Sequence, residues 1–287
     1  MLKRSGPTAV RGSLWSISQE SRPKTARRDT AHGCLIVMTH FIHMRLLPLL
    51  LLLLSLSPVL QAQTYRLQLG RTAALTGGGV VLAFGSEGLM RQVSPLTPAE
   101  LGQLDPADVW RLDRLATDNW SPSVARTSDA FLYGSMAAPP LLALLHPRSR
   151  EEFPAIATMW AETGLITYGL TGLGKWAVRR RRPFTYLPAG PGYPGLAEAQ
   201  GARDARFSFP SGHSSMTAAM CFFSARVYHD LFPDSPARPV VWVLAAVIPA
   251  SVAWMRVRAG KHFPSDVITG YLLGATVGIS LPALHRR

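Results

Sequence analysis

Long apolar runs broken by short polar, proline- or glycine-bearing stretches dominate the second half of the chain, and no segment sustains strand-like alternation. Five runs, at about 129–146, 154–175, 212–231, 240–257 and 265–284, read as helices near the ~20 residues that cross a bilayer. Gly and Pro occur inside several of them, which spanning helices tolerate better than soluble ones. A further run, "TAALTGGGVVLAFGSEGLM" (72–90), is Gly-rich and carries Glu87, and it reads as a re-entrant or surface segment. The pattern predicts an all-α fold, a multi-helix transmembrane bundle. A soluble bundle with very apolar core helices is the competing reading.

Upstream the pattern changes. Residues 1–43 are basic and polar without periodicity, and read as disordered or as the product of an upstream start codon. Met44 and Arg45 open "MRLLPLLLLLLSLSPVLQAQ", a charge, a short Leu-rich core and a small residue, the pattern of a signal peptide over 44–62 with cleavage after Ala62. Leu60, three positions back from that cut, is not the best residue there. Residues 63–128 form an extracytoplasmic or peripheral region, with Trp110 and Trp120 suited to a membrane surface. Residues 129–287 form the helical core.

Composition agrees. Of 287 residues 47% are hydrophobic and only 16% charged, against about 25% charged in soluble domains. The mean hydropathy of +0.13 is low for a polytopic protein because the N-terminal part is polar. The formal net charge of +13 suits nucleic acid, anionic lipid or phosphate. No aromatic-rich basic module appears, so no nucleic-acid partner is expected. Two cysteines, Cys34 and Cys221, straddle the cleavage site and leave no disulfide framework. No Cys/His zinc pattern occurs.

Three clusters carry candidate chemistry. In "GKWAVRRRRPF", Lys175 and Arg182 are two helical turns apart and would share a face, with Arg179 between them and Pro183 ending the helix. In "FSFPSGHSSM", Ser211 fits an N-cap, Gly212 permits close approach to a ligand, and His213 stands at a helix mouth whose free amides suit an anion. In "MRVRAGKHFPSDVITG", Pro264 suits a first helical turn, which puts His262 at the junction with Asp266 one turn on. A carboxylate there could fix the imidazole tautomer. Each cluster alone also fits a bland reading: a basic membrane flank, a plain capping turn, an interfacial loop.

Together the clusters read K-x6-R-P, P-S-G-H and R-x5-H-x3-D in order, and this resembles the type 2 phosphatidic acid phosphatase superfamily, which includes vanadium haloperoxidases and bacterial non-specific acid phosphatases. The resemblance covers about 175–266, within a helical core from residue 129 onward. It departs from the family at Met255, where the third motif usually has Ser before the Arg. The resemblance implies that Lys175, Arg182, Ser211, Gly212 and Arg256 bind phosphate. It implies that His262 attacks phosphorus, that Asp266 orients His262, and that His213 protonates the leaving oxygen. Arg179, Arg180 and Arg181 fall at variable positions and receive no role. No metal or other cofactor is implied. The expected function is hydrolysis of a membrane lipid phosphate or isoprenoid pyrophosphate through a phosphohistidine. A soluble periplasmic acid phosphatase, a vanadate-dependent haloperoxidase and a scaffold with a decayed site are the alternatives. Nothing in the sequence indicates an oligomeric state.

The three clusters meet on one face if the last four runs alternate direction. With a cleaved signal and 72–90 not crossing, that face is the extracytoplasmic side of a bacterial-type inner membrane. The excess of Lys and Arg on the same face points the other way by the positive-inside bias.

Overall fold

The structure, a computed structural model, describes residues 64–287. The stretch expected to be disordered or a start-site product, 1–43, and the expected signal peptide, 44–62, lie outside the described residues. Six long helices carry the fold: α1 (Leu69–Arg91), α2 (Pro122–Ala143), α3 (Phe153–Val178), α4 (Gly212–Leu231), α5 (Arg238–Arg258) and α6 (Pro264–His285). The remaining described elements are single turns of helix and one isolated bridge between Tyr65 and Arg286. The fold is all-α, as the pattern predicts.

Local chemistry sets the starts. Ser121 caps α2 by accepting from Val124 N–H, with Pro122 at the first helical position. Ser211 caps α4 through Ser214 N–H. Pro264 opens α6, and the Asp266 carboxylate accepts from Phe263 N–H. At the far end the segment before α1 is tied to the end of α6: Arg66 N–H donates to the His285 carbonyl at 2.7 Å.

The central helix is α4, which touches α2, α3, α5 and α6. Its buried face is built from Ser214, Ser215, Ala218, Ala219 and Phe223. Gly270, Gly274 and Gly278 of α6 pack onto it at four-residue spacing. A Cβ on these glycines would lie 2.5, 1.9 and 2.3 Å from the carbonyl oxygens of Ser211, Ser215 and Ala219. The rising pairs make α4 and α6 parallel, so their N-termini sit side by side. Only glycine allows this approach.

Helices α1, α5 and α6 are long and apolar enough to cross a membrane. Exposed Val81 and Phe84 of α1, Val243, Val247 and Trp254 of α5, and Ile268 and Leu272 of α6 give these helices apolar outer faces. Helix α4 needs no such face because it is enclosed. The run 72–90, expected to be re-entrant or superficial, is part of a continuous helix. It packs along α3: Thr76 meets Glu162, Gly79 meets Leu165, Leu82 meets Gly169 and Ser86 meets Gly172. The order makes α1 and α3 parallel and coextensive. The boundary expected at 128/129 falls inside α2, and Asp113, from the region expected to be peripheral, bonds Ser265 of α6.

Candidate active site

The ends of α3 and α5 and the starts of α4 and α6 converge. Lys175 lies in the last turn of α3, its Nζ 3.6 Å from where a Cβ on Gly212 would be. The helix then ends sooner than expected. Arg179 adopts the left-handed conformation (φ 48°) and Arg182 is extended before Pro183. Lys175 and Arg182 therefore do not share a helical face. A run of four arginines repels itself at helical spacing, and Pro183 disfavours helix in the residue before it. Arg182 reaches the site from this extended segment instead. It is buried and donates to the Asp204 carbonyl at 2.9 Å, to Asp204 Oδ1 at 2.8 Å and to the Lys261 carbonyl at 3.0 Å.

His262 is fully enclosed between α5 and α6. Its Nδ1 lies 2.7 Å from the Ser208 carbonyl, which can only accept, so Nδ1 carries the proton. Its Nε2 lies 3.2 Å from Arg182 Nη1 and is the unprotonated nitrogen. Burial, then Arg182, Arg256 and Lys175, hold the imidazole well below its ordinary pKa of 6.5. It is neutral at physiological pH, with a lone pair aimed into a cluster of cations.

Asp266 does not orient the ring directly: its Oδ2 is 3.8 Å from His262 Nδ1. That oxygen accepts from Ser208 Oγ at 2.5 Å and from Phe263 N–H at 2.8 Å. Oδ1 accepts from Arg180 at 2.7 Å. Asp266 thus fixes the loop whose carbonyl holds His262. Arg180, assigned no role from sequence, links Asp266 to Asp113 at 2.7 Å and lies over the Phe263 ring.

Ser211 is buried under the first turn of α4. Its N–H donates to the Asp266 carbonyl at 3.0 Å, and its Oγ accepts from Ser214. The hydroxyl is a cap beneath the site, whereas the open side of the Gly212 α-carbon faces Lys175. Arg256 is buried at the end of α5 and donates to Ser128 Oγ at 3.0 Å. His213 Nε2 is 2.7 Å from Asp129 Oδ1, and the same oxygen is 3.4 Å from Arg256 Nη1. Met255, where the family has Ser, is buried.

Sequence reasoning missed Asp129, Ser128, Ser208, Asp204, Arg180 and Lys261. A carboxylate inside an otherwise apolar helix was the available signal for Asp129. Lys261 Nζ stacks 4.6 Å from the Trp120 ring centre and 4.8 Å from that of Phe184. Burial, then Arg182, brings its pKa down to about 8. The turn before it needs Gly260 (φ 69°), where a Cβ would collide with the Asn119 carbonyl. Burial favours a protonated Asp204, but Arg182 and Lys175 overcome this and hold it ionised. Among the described residues no three His, Cys, Asp or Glu side chains converge as a metal site requires.

Beside Asp129 an apolar groove of about 530 Å³ opens between α2, α4 and α5, lined by Phe131, Gly134, Met220, Val241, Leu244 and Ile248.

The sequence model of the PAP2 superfamily matches residues 156–287. This segment is of the PAP2 superfamily. Its relatives include decaprenylphosphoryl-5-phosphoribose phosphatase of Mycobacterium tuberculosis, 31% identical over 139 residues, 47% of this chain and 63% of that protein. They also include phosphatidylglycerophosphatase B of Bacillus subtilis, 41% identical over 75 residues, 25% of this chain and 36% of that protein. The chain thus spans less than two thirds of the length of either relative. The crystal structure of a transmembrane PAP2-type phosphatidylglycerolphosphate phosphatase from Bacillus subtilis aligns with 22% identity and a TM-score of 0.37, covering 74% of this chain and 94% of that one. All the motif positions of the PAP2 site, Lys175 through Asp266, lie inside the matched segment, and Asp129 and Asp113 lie outside it.

Proposed function

We propose that this protein is a metal-independent membrane phosphatase that hydrolyses a lipid phosphate or isoprenoid pyrophosphate through a phosphohistidine. The observation that carries the reading is His262 Nε2, unprotonated and facing Arg182 within a pocket of cations. Lys175, Arg182 and Arg256 neutralise the phosphate oxygens, the two arginines through planar forks. The free amides at the start of α4, beginning with Gly212, add hydrogen-bond donors along the helix dipole, and Ser211 holds that turn in place. His262 Nε2 attacks phosphorus, and His213 supplies the proton to the leaving oxygen, then takes one from the hydrolytic water. Asp266 positions His262 through Ser208 and Phe263.

A lipidic substrate is supported by the apolar groove beside Asp129 and by the phosphatases among the relatives, which include ones named for decaprenyl and phosphatidylglycerol phosphates. The bilayer is the partner, a multi-pass inner membrane of bacterial type, and the site opens on the extracytoplasmic face. With α1 parallel to α3, Thr64 and Arg287 lie at the opposite end of the bundle and so on the cytoplasmic face. The basic bias fits better than it does from sequence. Arg180, Arg182, Arg206 and Arg256 on the site face are matched to carboxylates, while Arg66, Arg71, Arg148, Arg150 and Arg287 at the far end have no phosphate to bind.

The test is phosphate release by the purified protein from phosphatidic acid, phosphatidylglycerophosphate, undecaprenyl pyrophosphate and a water-soluble ester. Turnover of at least one lipid well above the soluble ester is expected. Preference for the soluble ester would contradict the lipid assignment, and no release from any of the four would contradict the phosphatase reading.

A further inference from the structure

We infer that Asp129 is a positioning residue for the proposed reaction: it holds His213 by one ring nitrogen and favours the imidazolium form that donates the proton. The inference rests on the phosphatase reading above.

Asp129 comes from α2, far from the three motifs in sequence, yet it touches two of them. One carboxylate oxygen lies 2.7 Å from His213 Nε2 and 3.4 Å from Arg256 Nη1. Ser128, its neighbour, bonds the same Arg256 nitrogen at 3.0 Å. A carboxylate accepts, so His213 Nε2 carries a proton. His213 Nδ1 has no partner among the described residues and is the nitrogen available to the substrate. One nitrogen held by an acid and the other free is the geometry that orients an imidazole for proton transfer.

The surroundings make the carboxylate necessary. Arg256 faces His213 from α5, Arg182 from the segment after α3, and Lys175 from the end of α3 beside Gly212. His262 faces it from the turn between α5 and α6. Every group but Asp129 is a cation or a neutral imidazole, and each cation disfavours a second positive charge on His213. Asp129 is the acid among these groups, and together with the anionic phosphate of a bound substrate it favours the imidazolium.

The step balances without further reagents. His262 Nε2 forms the P–N bond while the P–O bond to the lipid breaks. The Nδ1 proton of the His213 imidazolium passes to the leaving oxygen, and the neutral His213 keeps its Nε2–H on Asp129. Water then attacks phosphorus as the P–N bond breaks and its electron pair returns to His262 Nε2; the water gives a proton to His213 Nδ1, and phosphate leaves with the starting state restored.

The test compares wild type with Asp129→Asn and Asp129→Glu on two substrates: an alkyl phosphate with a poor leaving group and 4-nitrophenyl phosphate, whose leaving group needs little protonation. For Asp129→Asn, kcat on the alkyl ester should fall by about 100-fold, the lower range of general-acid effects. On 4-nitrophenyl phosphate it should fall only a few-fold. The high-pH limb of the alkyl-ester profile should move at least one unit towards acid, and Asp129→Glu should recover much of both effects. Equal losses on the two substrates with an unmoved limb would overturn the inference and leave Asp129 a structural contact. A wild-type protein inactive on both esters and on the lipids would count against the phosphatase reading itself.

Discussion

His262 Nδ1 donates to the Ser208 carbonyl at 2.7 Å, whereas the carboxylate of Asp266 stands 3.8 Å from the same nitrogen. A backbone carbonyl, not the acid one turn away, fixes the tautomer and leaves Nε2 free of its proton. The acid works at one remove, holding Ser208 Oγ and the Phe263 amide. The ring therefore depends on a loop, and the loop depends on what anchors Asp266.

That anchor is Arg180, which joins Asp266 to Asp113. Arg180→Gln strips one strong donor from each of two buried carboxylates. Unfolding of the detergent-solubilised protein should show a loss of about 2–3 kcal/mol, in the range of charged hydrogen bonds. Because Asp113 keeps Ser265 N–H and Oγ, the variant should still fold, with kcat reduced by loosening of the His262 loop. Unchanged stability and rate would remove Arg180 from the account.

Much of this was legible in the sequence wherever a turn or a cap decided the geometry. Pro264, Ser211 and the spacing of His262 from Asp266 lie where the pattern put them, because helix starts are written locally. Lys175 and Arg182 were misjudged because a left-handed residue, Arg179, ends the helix one turn after Lys175; the arginine run and Pro183 weaken the helix there but do not mark the residue at which it stops. Asp129 and Asp113 reach the site through packing, so no motif records them. The Gly270, Gly274 and Gly278 stripe was visible, but its meaning depends on α4 lying against it. The run 72–90 was misjudged because its glycines suggested an irregular segment, whereas the glycines of α3 let it pack closely.

The pH dependence follows from His262. Burial and the surrounding cations lower its pKa well below 6.5, so the nucleophile stays neutral as the pH falls through 6.5. The acid limb of kcat/KM should therefore lie below 6.5. Stability has the same sign: the unfolded chain binds this proton first, so the contribution is complete above about 6.5 and is lost as pH falls towards the folded value. Parallel measurement of kcat/KM and of thermal unfolding between pH 4 and 8 checks both. An acid limb at or above 6.5 would contradict the environment described for His262.

In the proposed reaction charge neutralisation falls to Lys175, Arg182, Arg256 and helix amides. Activity should persist in EDTA, and vanadate should inhibit competitively, since it can adopt the geometry of the transition state. Loss of turnover on chelation, restored by a divalent ion, would point to a different chemistry.

The parallel packing of α1 and α3 places Gly190 and Arg150 at opposite ends of the bundle. In a variant with Cys34 and Cys221 replaced, Gly190→Cys should react with an impermeant thiol reagent in intact cells, and Arg150→Cys only after permeabilisation. A side chain at 190 meets nothing within 4 Å, and Arg150 is exposed, so both probes are open. Labelling of both from one side would contradict the proposed topology, and the reversed pattern would place catalysis in the cytoplasm.

The most direct measurement traps the covalent intermediate. Purified protein is mixed with radiolabelled lipid phosphate and quenched within a turnover, and the protein is tested for bound phosphate. The account predicts acid-labile, alkali-stable label on His262, and no label and no turnover in His262→Ala. Near-normal phosphate release by His262→Ala, or turnover by the wild type without labelled histidine, would contradict it.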